Sequence, residues 1–131
     1  MAKYLFPAKL SDDDGRVMVE FPDIPNCFTE GDSLVEALEL AEDALCMILC
    51  DMEDKALPIL KPSDMKDIAC ADGEVVAVIK ADVLAYRKRV NSKAVKKTLT
   101  IPAWLNEVAE RNKVNYSQIL QEALMQKLGQ E

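Results

Sequence analysis

The chain has 131 residues, half of them hydrophobic and 30% charged, with 16 Lys and Arg against 23 Asp and Glu and no histidine. That length admits one ordinary domain or two small ones and the composition is that of a globular protein, while the missing histidine excludes a Ser-His or Cys-His nucleophilic pair. No stretch approaches the roughly 18 uninterrupted apolar residues of a membrane helix, and Met1-Ala2-Lys3-Tyr4 leads into no secretory apolar core, so the expected location is the cytoplasm, away from any membrane.

Tyr4 to Leu10 is a short apolar run suited to a strand, in which Pro7 argues for an edge position or a bulge. Ser11-Asp12-Asp13-Asp14-Gly15 has the composition of a turn, and Arg16 to Phe21 alternates with Val17, Val19 and Phe21 on one side, so the two runs form a hairpin. Pro22 and Pro25 stiffen the next stretch, and a third strand is expected around Cys27–Glu30. Ser33 with Glu36 three residues on forms a capping box that opens the longest helix, Leu34 to about Met52. Its buried stripe is Leu34, Leu38, Ala41, Leu45, Ile48, Leu49 and Met52; Glu36, Glu39, Glu42 and Asp43 form an acidic outer face.

Pro58 and Pro62 mark an extended connection and Asp72-Gly73 a turn, after which Glu74 to Lys80 is β-branched and apolar enough for a central strand. Asp82 caps a short helix, Val83 to Val90, that ends in Arg87-Lys88-Arg89. Strand, strand, strand, helix, strand is an α+β order with the long helix on one face of a sheet. Residues 1–90 form this front domain, residues 91–94 a polar linker, and residues 95–131 a second domain.

In Val95 to Pro102, Leu99 and Ile101 point one way and Lys96, Thr98 and Thr100 the other, the period of a strand. Pro102 stops the strand and suits the first turn of a helix, Ala103 to Asn112, with Leu105, Val108 and Ala109 at helical spacing. A second helix opens at Asn115, with Gln118 as its capping-box partner, and continues through Ile119, Leu120, Ala123, Leu124 and Leu128 to a stop at Gly129. One strand has no ladder of its own, and residues 95–128 fall short of the roughly 40 that usually enclose a core. A second copy supplies both, as an antiparallel two-stranded ribbon with a Lys and Thr face outside and four helices closing over the Leu and Ile face.

Charge divides along the chain. Residues 1–82 hold 7 Lys and Arg against 19 Asp and Glu, a balance of −12, and residues 83–131 hold 9 against 4, a balance of +5, which together give the net −7. The tail suits phosphate and the front a basic protein.

Residues 95–128 resemble a ribbon-helix-helix DNA-binding domain. The segment from Asp14 to Ala37, with Gly15, Phe21-Pro22-Asp23, Pro25, Cys27, Thr29, Gly31-Asp32 and Glu36-Ala37 in order, strongly resembles the HicB family of antitoxins. The resemblance implies a partial ribonuclease-H-like β-β-β-α-β front domain that binds a small HicA-like mRNA-cleaving toxin. It also implies a β-α-α tail that forms a homodimer or a higher oligomer and represses its own operon by binding operator DNA. Carried over by position, Lys96, Thr98 and Thr100 read base edges in the major groove, while Asn115, Tyr116 and Ser117 hold a backbone phosphate.

Two other readings share this layout: a transcriptional regulator with an acidic domain that senses a small molecule, and a metal-dependent nuclease. The nuclease reading is weak, because Asp12, Asp13, Asp14, Asp23 and Asp32 fall in turns and the helix acids on a solvated face. No catalytic residue, cofactor or metal site is expected. Cys46 and Cys50 are one helical turn apart but lack a Cys-x-x-Cys pair, so with Cys27 and Cys70 they read as reduced thiols, the packed ones acting as small hydrophobes. The Pro22–Pro25 loop is balanced between a structural and a toxin-contacting role, and Trp104 between the dimer interface and the surface.

Overall fold

Asp14 and Gly15 both take positive φ, 53° and 88°, the pair of left-handed conformations that a two-residue hairpin turn demands and that glycine and aspartate tolerate. In the computed structural model, which describes residues 3–129, this turn joins β1 (Lys3–Asp13) to β2 (Arg16–Glu20) in an antiparallel pair. The Gly15 amide donates to Asp12 Oδ1 at 3.0 Å and holds the turn from the strand side. Asp12 and Asp13, expected in the turn, instead lie in the end of β1 opposite Val17 and Arg16.

The sheet is completed by β3 (Phe28–Gly31) and β4 (Glu74–Asp82), in the order β3-β2-β1-β4, all antiparallel. β4 is therefore an edge strand and not the central one that its β-branched run predicts; β1 is central, with hydrogen-bonded neighbours on both sides. Pro7 is buried but lies where β1 has β4 alone beside it, because pairing with β2 starts only at Lys9, so its missing amide can face the unpaired side of the strand.

One face of the sheet is covered by α1 (Leu34–Asp54). Ser33 caps it, accepting from the Glu36 amide at 3.2 Å, but Glu36 Oε2 reaches back to the Asp32 amide and not to that of Ser33. The buried stripe is Ala37, Ala41, Leu45, Cys46 and Leu49, packed with Phe6, Ala8, Leu10, Val19, Phe21, Ile79 and Ala81. Leu38, Ile48 and Met52 are half-buried against the same core, so the expected stripe holds except at Leu34, which is exposed. Gly31 permits the close entry of the helix: a Cβ there would lie 2.6 Å from the Ala37 amide nitrogen, so α1 starts against bare backbone with Ala37 fully buried.

The loop from Phe21 to Cys27 is anchored by those two residues and by Ile24, all buried, and by the Phe21 amide bonded to the Cys27 carbonyl at 2.9 Å. Asp23 accepts from the Ser63 amide at 2.8 Å and from Ser63 Oγ at 2.6 Å. It thereby clamps the connection between α1 and β4, which otherwise holds only a single 3-10 turn, Met65–Asp67. After β4, α2 (Val83–Val90) is capped by Asp82 and returns to α1. Arg87 pairs with Glu53 at 3.0 Å and Asp54 at 2.9 Å, and Arg89 with Asp43 at 2.6 Å. Tyr4 donates to Glu53 at 2.7 Å.

These residues make up one compact unit, Met1–Ser92; the second is Lys93–Glu131. The second unit holds α3 (Ala103–Arg111) and α4 (Tyr116–Leu128), preceded by a stretch from Lys93 to Pro102 that has no helix and no ladder. Asn115 Oδ1 accepts from the Gln118 amide at 3.0 Å, and Gly129 ends α4 in the left-handed conformation. Gln118 bonds Glu122 with its own side chain and so leaves the capping box half made. Among the described residues this unit buries none completely.

Candidate nucleic-acid interface

The residues between Lys93 and Pro102 carry three lysines and no acid. Lys97, Leu99 and Ile101 line an open groove of about 850 Å³, whose other walls include Leu105, Val108 and Ala109 of α3 and Ile119, Leu120 and Ala123 of α4. Lys96, Thr98 and Thr100 are exposed and do not line it. The segment thus sorts its side chains by parity, as a strand does, without a strand partner.

The apolar wall is bare in the single chain. Leu99 is 65% exposed, Ile101 46%, Val108 46% and Ile119 50%, values far above those of a core. The residue type of Lys97 does not point to the groove; only the odd-numbered alternation places it there. Trp104 is 66% exposed and is not part of the groove lining.

Asn115, Tyr116 and Ser117 come together at the amino end of α4. Helix geometry leaves the first amides there without an acceptor in the helix, and the peptide dipoles add a partial positive charge. Asn115 uses its side chain on the Gln118 amide. The Tyr116 hydroxyl turns to α3, donating to Asn106 Oδ1 and Glu110 Oε1 at 3.3 Å each. Partial loss of water, then the charge and hydrogen bond of Glu110, push that phenol above its ordinary value. Ser117 lines the groove mouth.

Cutting the chain at the boundary between the units changes the charge balance. Residues 1–92 hold 10 Lys and Arg against 19 Asp and Glu, −9, and residues 93–131 hold 6 against 4, +2. The difference from the earlier division is the Arg87-Lys88-Arg89 end of α2, where two of the three side chains are spent on α1 acids. The front unit is still strongly acidic, with Asp14, Glu20, Glu39 and Glu42 exposed.

Among the described residues no three Cys, Asp or Glu side chains gather as a metal site requires. The cysteines are unpaired; burial pushes the Cys27 and Cys46 thiols up to about 11, as packing of small hydrophobes does. No described helix is long and apolar enough to cross a membrane.

Residues 6–124 match the family model described as a HicB-like antitoxin of bacterial toxin-antitoxin systems. Among solved structures, a chain of a toxin-antitoxin complex from Streptococcus pneumoniae aligns with 95% of this chain and 99% of its own at 24% identity and a TM-score of 0.63. The antitoxin HicB of Burkholderia pseudomallei aligns with 95% of this chain and 98% of its own at 19% identity and a TM-score of 0.55. A chain of a HicA3 and HicB3 toxin-antitoxin complex covers 60% of this chain and 99% of its own at 19% identity, with a TM-score of 0.51. At such identities the likeness is one of fold. No curated protein matches the chain.

Proposed function

Because the chain belongs to the HicB-like antitoxins of bacterial toxin-antitoxin systems, we propose that its front unit covers and neutralises a small HicA-like, RNA-cleaving toxin while paired tails bind the operator of its own operon. The front unit takes the part of a partial ribonuclease-H-like domain and the tail that of a ribbon-helix-helix module, acting in the cytoplasm without a reaction of its own.

The observation that carries this reading is the sorting of the tail segment: Lys97, Leu99 and Ile101 toward an uncovered apolar groove, Lys96, Thr98 and Thr100 away from it. Placing a second copy's segment alongside satisfies the free amides of both and sets Leu99 and Ile101 over the helices. It leaves a two-stranded ribbon with Lys and Thr outward, sized for a major groove. Lys96, Thr98 and Thr100 then meet base edges. The amides of Tyr116 and Ser117, with the Ser117 hydroxyl and the Asn115 cap, fix the register by holding a phosphate.

For the front unit, charge supports the toxin as partner. A protein that grips RNA needs a basic surface, and a unit with a balance of −9 attracts it and shields it from its substrate. The test separates the two activities. Lys96→Ala with Thr98→Ala abolishes operator retardation in a gel-shift assay and leaves protection against the toxin intact; loss of both together would refute the division into modules. Incubation of the purified chain with RNA and magnesium or manganese yields no cleavage.

A further inference from the structure

The 21 residues of α1 include seven Asp and Glu and no Lys or Arg. Three of the seven, Asp51, Glu53 and Asp54, fall in its last turn, where the helix dipole disfavours anions. Among the described residues three cations answer them: Lys55 pairs with Asp51 at 3.0 Å, Arg87 with Glu53 and Asp54, and Arg89 with Asp43. Four negative charges are left over, and the stability of the helix gives no reason for them.

Glu36, Leu40, Asp43, Met47, Asp51 and Asp54 follow one another at intervals of three or four residues, the spacing of a single stripe along a helix. All six are exposed, Leu40 by 38% and Met47 by 56%. Ala37, Ala41, Leu45 and Leu49 take another side of the helix, against the sheet. The outer stripe is thus a seam running about 27 Å, with two apolar side chains one heptad apart and carboxylates before, between and after them. Intervals of three and four are those at which one helix receives the side chains of another.

We infer, resting on the toxin reading above, that this seam is where the front unit receives the toxin, and that what it receives is a basic helix with an apolar centre. Charge excludes the other occupants. A second copy would set carboxylates against carboxylates, and a nucleic acid or an anionic membrane would be repelled. A helix with Lys or Arg flanking one or two apolar side chains fits on both counts: it covers Leu40 and Met47 and brings cations to the carboxylates on either side of them. A cationic helix held in this way is withheld from RNA phosphates.

Isothermal titration of the full-length chain with a catalytically inactivated form of the toxin encoded beside it tests the placement. Met47→Lys sets a cation four residues after Asp43 and four before Asp51, pairs that favour the free helix, so its thermal midpoint should not fall. Its affinity for the toxin should nevertheless drop about tenfold or more, because the new cation faces a basic partner. Met47→Leu, apolar and uncharged, should bind as the native chain does, and native affinity should decline as salt is raised. Unchanged affinity in Met47→Lys, with the native chain binding, overturns the placement and leaves the toxin reading standing; a native chain that binds no toxin refutes that reading and the occupant of the seam with it. A lower sedimenting mass in Met47→Lys with toxin affinity unaltered would give the seam to a second copy and overturns the placement as well.

Discussion

Gly31 sits where β3 turns into α1, and a methyl group there would collide with the amide nitrogen and Cα of Ala37 at 2.6 and 2.9 Å. Backbone cannot swing aside as a flexible side chain can, so Gly31→Ala should cost about 1–3 kcal/mol, the usual range for overpacking, seen as a lower urea midpoint. Burial pushes the thiols of Cys27 and Cys46 from 9.0 to about 11. A group with a raised folded value holds its proton longer folded than unfolded, so its contribution is complete below pH 9 and is lost as pH rises toward 11. Stability should fall over that window, and replacing both cysteines with alanine should flatten the fall, leaving the Tyr4 phenol, raised to about 12 chiefly by burial and then by its bond to Glu53, to act at higher pH. Urea titrations at stepped pH read out both effects.

At the scale of elements, the features legible directly from the chain are those that local chemistry decides. The Asp14-Gly15 turn, the Ser33 and Asn115 caps and the Gly129 stop lie where the sequence puts them, because each needs only neighbours a few residues away. Asn115→Ala should therefore cost about 1 kcal/mol of stability and lower the thermal midpoint. The features that escape such a reading are non-local. β4 has the composition of a buried central strand, yet its place in the sheet is set by where the chain returns after the connection clamped through Asp23 and Ser63. The stripe of α1 packs as its hydropathy predicts except at Leu34, and the full burial of Ala37 escapes hydropathy because that cannot register the close approach at Gly31. Of the candidate site, the alternation from Lys96 to Ile101 is legible; the turn of the Tyr116 hydroxyl toward Asn106 and Glu110 is not, as it depends on how α3 and α4 meet.

For the whole molecule, the two units differ in kind. The front has a core of fifteen buried hydrophobic residues, and the tail has none among its described residues. With tails paired as proposed, Ile101→Asp should abolish operator binding and tail-mediated association while circular dichroism still reports a folded front unit. The thermal midpoint of the native chain should rise with protein concentration, as it does whenever folding and association are linked. With tails enclosed only in the proposed pair, the protein's survival is tied to its own abundance. When copies become scarce, residues 93–129 are left open to proteases, so that limited digestion at falling concentration should cut there first. Decline would then hasten itself, and a cell that stops replenishing the chain would lose it abruptly, not gradually.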